Sequence, residues 1–221
     1  MADLTEELED ESSEEGESMT AAEVLQKLEE AWLNEKFSPD LLEIKNDIVD
    51  CMLEQIKEME ENIRRAKKGD FRVGIHKMEI DRIRYFISSY LRTRLQKIEK
   101  YTAHVLEQEK ARGSDETPQM SPDEYTFAKE YSENMENHFK VLALRHMPPN
   151  LQALDPKHTV MRPNLDSYVF LRVNEDTAGV LVEEETAEAG EEVIDLEKGD
   201  QLIIRYRPVA TLVESGAVGL I

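Results

Sequence analysis

The chain has 221 residues, 34% of them charged and 40% hydrophobic, and a formal net charge of −21. A chain this acidic does not wrap nucleic acid as a whole, because the phosphates would repel it. Its one cysteine, Cys51, excludes an intrachain disulfide and fits a reducing compartment. No run of residues approaches the ~18 apolar side chains needed to cross a bilayer. Taken in order, residues 1–19 read as an acidic disordered tail, since residues 1–17 hold nine Asp or Glu and no Lys or Arg. So few apolar side chains do not offset the entropy of ordering. This acidic start does not read as a signal peptide either. Leu4 and Leu8, four apart, are candidates for one face of a short helix formed on an adaptor; a purely solvating tail is the other reading. Ser12, with Glu15 three positions on, has the pattern of an acid-directed phosphorylation site.

Thr20-Ala21-Ala22-Glu23 is a capping box, and Val24, Leu25, Leu28, Ala31 and Trp32 follow at helical spacing. Trp32, the single tryptophan, is expected to anchor a core or an interface. Phe37-Ser38-Pro39 breaks the helix. A second helix is expected from about Ile44 to Lys68, buried through Ile48, Val49, Met52, Ile56, Met59 and Ile63 and stopped by Gly69. Cys51 falls on its flank as a packing residue. The cations Arg64, Arg65, Lys67 and Lys68 crowd its last turns, where they complement the helix dipole.

The longest helical reading runs from about Val73 to Lys110, roughly 55 Å at 1.5 Å per residue. Ile80, Ile83, Ile87, Tyr90, Leu91, Ile98, Tyr101 and Val105 form its apolar stripe. Arg94 lands in the middle of that stripe and must meet a carboxylate or several carbonyls, because an unpaired buried charge costs several kcal/mol. Arg82, Arg92 and Lys100 fall opposite the stripe and Arg84 on its flank. Arg64 to Lys100 holds twelve Lys or Arg against four Asp or Glu. Two readings of that excess stand side by side: a solvated basic face, or a surface for a partner. Trp32, Arg82, Arg84, Tyr90, Arg92, Arg94 and Tyr101 are the interface candidates.

Residues 113–119 read as a polar loop. Ser121-Pro122-Asp123-Glu124 is a second capping box, opening a helix to about Leu144. Four helices with short connections make a bundle over residues 20–145. Residues 146–164 are a proline-rich linker. Residues 165–221 then read as a small β-rich domain with short strands at 168–173, 180–183, 193–196 and 202–206, a short helix near 208–214, and an apolar stretch at 217–221. The fold class is therefore α+β. Fewer than 60 residues make a marginal core, so this domain is expected to dock on something larger. The five histidines lack ligand spacing, there is no CxxC pair, and no phosphate-cradling or nucleophile motif is found; no metal, cofactor or catalytic residue is expected.

Five stretches together carry a resemblance: residues 30–43 (EAWLNEKFSPDLLE), 78–101 (MEIDRIRYFISSYLRTRLQKIEKY), 146–152 (HMPPNLQ), 163–173 (PNLDSYVFLRV) and 194–218 (IDLEKGDQLIIRYRPVATLVESGAV). In this order they resemble the GINS family of eukaryotic DNA replication, its fourth subunit in particular. The resemblance implies a nonenzymatic scaffold with the helical domain first, placed in a heterotetramer with three sister GINS subunits. It implies that the tetramer joins the MCM helicase ring and the RecJ-like helicase activator into the replicative helicase, for initiation and elongation at forks. It also implies indirect ties to the leading-strand polymerase and a replisome adaptor, weak or indirect DNA contact, no membrane, and a nuclear, chromatin-bound location beside a cytoplasmic pool. The alternative is a direct nucleic-acid-binding module using Arg82, Arg84, Arg92 and Lys100.

Overall fold

The computed structural model describes residues 19–66, 70–113, 117–152, 160–183 and 192–221. Two long-range tendencies of the sequence shape it: helical periodicity up to residue 142, and alternation of apolar and polar residues after 167. The first helix, α1 (Ala21–Phe37), opens on the capping box. Thr20 Oγ1 accepts from the Glu23 amide, and the Glu23 carboxylate accepts from the Thr20 amide at 2.7 Å. It stops at Ser38, before Pro39. Next come α2 (Asn46–Arg65) and α3 (Phe71–Ala111), the latter capped by the Asp70 side chain. The fourth helix, α4 (Pro122–Leu142), repeats the capping box with Ser121 and Glu124. Two short 3-10 turns follow, Leu144–His146 at the end of the stretch expected to be helical and Pro149–Leu151 in the stretch expected to be a proline-rich linker.

The helices bury a stripe each. Val24 and Leu28 of α1 meet Val49, Met52 and Ile56 of α2, and Ile80, Ile83, Ile87 and Tyr90 of α3. A second cluster forms lower on α3, where Ile98, Val105 and Leu106 pack with Leu41, Met120 and Ala128. Each such aliphatic side chain contributes about 1.5–3 kcal/mol by leaving water. Helix α3 therefore serves as the common wall of the bundle. It is not straight. Tyr101 leaves helical geometry at φ −118° and ψ 26°. Next to it the Thr102 hydroxyl donates back to the Ile98 carbonyl at 2.6 Å, a bond that competes with the helical ladder and bends it.

The C-terminal part is strand-rich. Its strands are β1 (Tyr168–Val173), β2 (Thr177–Glu183), β3 (Glu192–Leu196), β4 (Gln201–Arg205) and β5 (Val218–Leu220), with helix α5 (Tyr206–Ser215) before the last. One sheet has the order β4-β1-β5, all antiparallel, and β2 pairs with β3 in a separate hairpin. Val169, Leu171 and Val173 alternate inward onto Ile204, Tyr206, Val209, Val213, Val218 and Leu220. Gly216 ends α5 at φ +83°, the left-handed conformation that favours glycine at this cap.

Several expectations are corrected. Tyr206, read as the end of a strand, opens α5 and is buried in the core. The stretch 217–221, read only as an apolar end, contributes β5. It does dock, and on this chain: the Leu220 amide donates to Asn34 Oδ1 at 2.7 Å, and Leu42 packs against the sheet core. Helix α2 starts at Asn46, two residues later than expected, and Cys51 is exposed on it where a packing residue was expected. Residues 1–18 of the tail, Lys67 to Gly69, 114–116 of the expected polar loop, 153–159 of the expected linker and 184–191 between the strands expected at 180–183 and 193–196 lie outside the described residues. The Asn34 contact gives a direct expectation. Asn34→Ala removes the acceptor of the Leu220 amide, and a single hydrogen bond contributes about 1 kcal/mol. Hydrogen exchange at Leu220 should rise about fivefold. Unchanged exchange there would show that the bond does not hold β5 on α1.

Candidate functional site: a buried charge clamp and three open faces

The centre of the helical part is ionic. Arg94 sits on the apolar stripe of α3 and is 0% exposed. Its Nε donates to Glu124 Oε1 at 2.9 Å, and its Nη2 to Glu124 Oε2 at 3.0 Å and to the Gln119 carbonyl at 2.6 Å. Its Nη1 donates to Glu35 Oε2 at 3.0 Å and to the Leu42 carbonyl at 2.8 Å. A guanidinium has five N–H donors, and all five are satisfied. One turn further, Lys97 Nζ donates to Glu35 Oε1, Ser38 Oγ and the Asp40 carbonyl, each at 2.7 Å. All three ammonium donors are thus satisfied as well. Two cations face two carboxylates, so the cluster is neutral within a chain of net charge −21.

Local sequence explains who meets whom. Pro39 breaks the chain beside Glu35, turning Ser38, Asp40 and Leu42 across α3 within reach of both cations. Glu124 occupies the third helical position of α4, where it also accepts from the Ser121 amide at 3.1 Å. One carboxylate therefore caps α4 and neutralises Arg94. Burial by itself would pull the Arg94 pKa down; its hydrogen bonds to Glu124 and the field of Glu35 outweigh that, and the guanidinium is held charged above its usual range. Burial pushes Lys97 below the usual lysine range, against the opposing pull of Glu35. Every acid in the cluster is committed to a cation. The arrangement clamps α1, the α1–α2 connection, α3 and α4 together.

Two tyrosines sit close by. Tyr90 lies under the Arg94 guanidinium, 5.7 Å from carbon to ring centre, and its hydroxyl accepts from the Lys45 amide at 3.3 Å. Burial raises its pKa above 10.0, and burial raises Tyr206 further, with Asp40 adding to it. A tyrosine whose folded pKa is raised keeps its proton where the unfolded chain has lost it. Stability contributed this way is full below pH 10 and is lost as pH rises beyond it. Lys97 acts with the opposite sign below pH 10.5, where the unfolded chain binds more protons and stability gains with pH. In an alkaline titration, unfolding should therefore set in only above pH 10, together with phenolate absorbance. Tyr206→Phe should move the onset upward. Phenolate absorbance from these residues without unfolding would overturn the assignment.

The remaining candidates fall on the surface or at its edge. Arg82 pairs with Glu29 of α1 at 2.5 Å, and Arg84 pairs with Glu60 of α2. Trp32 is half-buried, donates from Nε1 to Ser89 Oγ at 2.9 Å and meets Phe86 edge-on. Arg92 is exposed. Tyr101, half-buried, lies at the α3 bend under Lys100, 4.9 Å away, and lines an open groove of about 670 Å³ between α3 and α4. Arg94 and Tyr90, candidates for contact with another chain, are enclosed within this one. Leu4, Leu8 and Ser12 lie outside the described residues. The sequence reading missed Glu35, Lys97 and the second duty of Glu124. Glu35 extends the Val24, Leu28, Ala31 spacing by four, so a charged residue in an apolar register was the available signal.

Among the described residues, three apolar faces are open. On α3, Phe71, Ile75 and Met78 are exposed along one line of the helix opposite Ile80, Ile83 and Ile87, with Phe71 81% exposed. On α4, Met135, Phe139 and Leu142 repeat the same spacing toward solvent, and on the sheet Tyr168, Phe170 and Ile203 stand outward. Among the described residues no helix is long and apolar enough to cross a membrane, and no group of His, Cys, Asp and Glu is placed to hold a metal ion.

A chain with a clamped helical bundle, a small strand-rich domain docked on it, and apolar faces left open has the architecture of an assembly subunit. Residues 50–143 match the family described as the GINS complex protein helical bundle domain, and residues 163–221 match the DNA replication complex GINS protein SLD5 C-terminus. The chain is 57% identical over 210 residues to the DNA replication complex GINS protein SLD5 of Xenopus laevis, covering 95% of each chain. It is 58% identical to that of Rattus norvegicus, covering 96% of this chain and 95% of the relative, and 56% identical to that of Homo sapiens, covering 92% and 91%. The chain belongs to the SLD5 family of GINS complex proteins of DNA replication.

Proposed function

We propose that the chain is a non-catalytic scaffold, the fourth subunit of a heterotetrameric GINS complex in the nucleus. It packs its helical part against three sister subunits, and the tetramer joins the MCM ring and a RecJ-like activator into the replicative helicase. The observation that carries this is the pairing of inner commitment with outer vacancy. Charged groups at the centre are spent on one another, while apolar side chains at helical spacing on α3 and α4 stay in water. Exposed contiguous apolar faces of this kind mark protein interfaces. Direct nucleic-acid binding by the face of α3 is not carried forward, because Arg82 and Arg84 are engaged by Glu29 and Glu60.

The test is mass by light scattering, for the full chain alone and coexpressed with its three presumed sisters. A single species at the summed mass, beside an aggregating chain alone, is the expected result. A well-behaved monomer that ignores the sisters would overturn the proposal. Removing residues 1–17 should leave that species intact, since the tail's part is adaptor recruitment.

A further inference from the structure

A sheet leaves unpaired amides and carbonyls along its two edge strands, and chains ordinarily blunt them with lysine, proline or bulges, or cover them. The β4-β1-β5 sheet treats its two edges differently. Its ladder bonds fix which backbone groups point outward. The Val173 amide donates to the Asp200 carbonyl and the Tyr206 amide to the Ser167 carbonyl, each at 2.9 Å. In that antiparallel register Leu202 and Ile204 turn their backbone groups toward β1, and Gln201 and Ile203 turn theirs away from it. On the opposite edge the Ile221 amide donates to the Phe170 carbonyl at 3.1 Å, which turns the Leu220 amide outward. There the chain closes the edge itself, since Asn34 Oδ1 accepts from that amide at 2.7 Å. Among the described residues nothing comparable lies beside β4: no hydrogen bond reaches the amide or carbonyl of Gln201 or Ile203 from the outer side. The strand Gln201–Arg205 has no proline or lysine, its register with β1 is unbroken, and Ile203 is 56% exposed. The β2–β3 pair, by contrast, is interrupted twice along its register.

We infer that the outer edge of β4 takes an extended segment of a partner chain as a further strand of the sheet. The backbone selects the occupant. Gln201 and Ile203 each offer one donor and one acceptor, repeated about 7 Å apart along the edge. A second extended chain matches that repeat. A helix does not, because its amides and carbonyls are spent on its own ladder. Recognition by main-chain bonds requires no particular charge on the partner. Side chains then set the preference. Ile203 stands opposite Phe170 on the outer face of the sheet, so an added strand places its own side chain next to Ile203 and lengthens that apolar row. Branched and aromatic residues at alternate positions of the incoming segment suit it. The edge lies on the C-terminal domain, apart from the α3 and α4 faces on which the proposed assembly rests.

The test pans a phage-displayed library of random peptides on the full chain, in the coexpressed assembly if it forms and as the single chain if it does not. Formation of the assembly is scored first, so that its failure counts against the proposed function and not against this edge. Ile203→Pro and Ile203→Thr chains are panned in parallel. Proline removes an outward amide and no bond of the β1–β4 ladder, so the sheet is kept while its edge loses a donor. Threonine keeps the donor and a branched side chain. The native chain should enrich peptides with Val, Ile, Thr, Tyr or Phe at alternate positions. Their recovery should fall about tenfold or more on Ile203→Pro and stay within about threefold on Ile203→Thr. An enriched peptide is then synthesised with a single N-methyl group at each residue in turn, and its affinity for the native chain is measured. Methylation should weaken binding about tenfold at every second position and little in between, because only alternate amides face β4. That readout uses the native chain, so it remains decisive if the proline variant unfolds. No enrichment on the native chain, equal recovery on Ile203→Pro, or N-methyl effects without the alternation would each overturn the inference. Self-association of the native chain, seen by light scattering and lost in Ile203→Pro, would assign the edge to a second copy and overturn the partner as stated.

Discussion

Replacing Arg94 with alanine should cost the chain about 3–5 kcal/mol, because Glu35 and Glu124 would stay buried without their shared cation. For a protein of this size that is a fall of roughly 10 °C in melting temperature. Arg92→Ala, two residues away but exposed, should stay within about 0.5 kcal/mol of the native chain. The contrast isolates burial, since the two changes delete the same side chain from the same helix. Thermal melts of the native and altered chains, alone or in the coexpressed assembly, read it directly. Equal small losses would refute the placement of Arg94 at the centre. Arg94→Met is the informative companion. It fills much of the same volume but still strands both carboxylates, so it should recover little of the loss. If it restored full stability, packing volume and not charge would be what the site supplies.

Glu35→Ala is the second large effect, expected at about 3–5 kcal/mol. Glu35 is 1% exposed and, among the described residues, is the one carboxylate that contacts both Arg94 and Lys97. Without it, two cations face Glu124 alone. Lys97 responds differently from Arg94. Its pKa is already low and would fall further without Glu35, so the lysine can shed its proton, while an arginine cannot. The Glu35→Ala chain should therefore regain part of its stability as pH is raised toward the lysine range, with Lys97→Met removing that gain. Urea unfolding of the single and double variants across pH measures it. A loss that is small and flat with pH would show that water, not the protein, solvates these cations.

Much of this arrangement was legible in the residues, for identifiable physical reasons. Helices α1 and α4 announce themselves by capping boxes and α3 by its stripe at a 3.6 period, all local properties of the chain. Arg94 stood out because a charge in an apolar register demands a partner. Which partner was not legible: Glu35 and Glu124 lie 59 and 30 residues away, and only the packing of α1 and α4 on α3 brings them together. Strand β5 was missed because three residues carry too little alternation to declare themselves; pairing with β1 makes the strand. Tyr206 was misplaced because alternation along β4 continues into it, although the core takes it as the first residue of α5. The open sheet face was invisible for the same reason. Outward orientation of Phe170 depends on which side the rest of the domain covers.

Leu42 belongs to both halves of the molecule: its carbonyl is held by Arg94, while its half-buried side chain packs against the sheet domain's core. The ionic centre and the sheet core therefore share one residue. The halves cannot melt as separate bodies, and calorimetry should return a single heat-absorption peak whose van't Hoff and calorimetric enthalpies agree. For a subunit assembled from two dissimilar parts, this makes their relative orientation an equilibrium property of the clamp. Whatever docks on one part meets a partner already fixed in angle by the other.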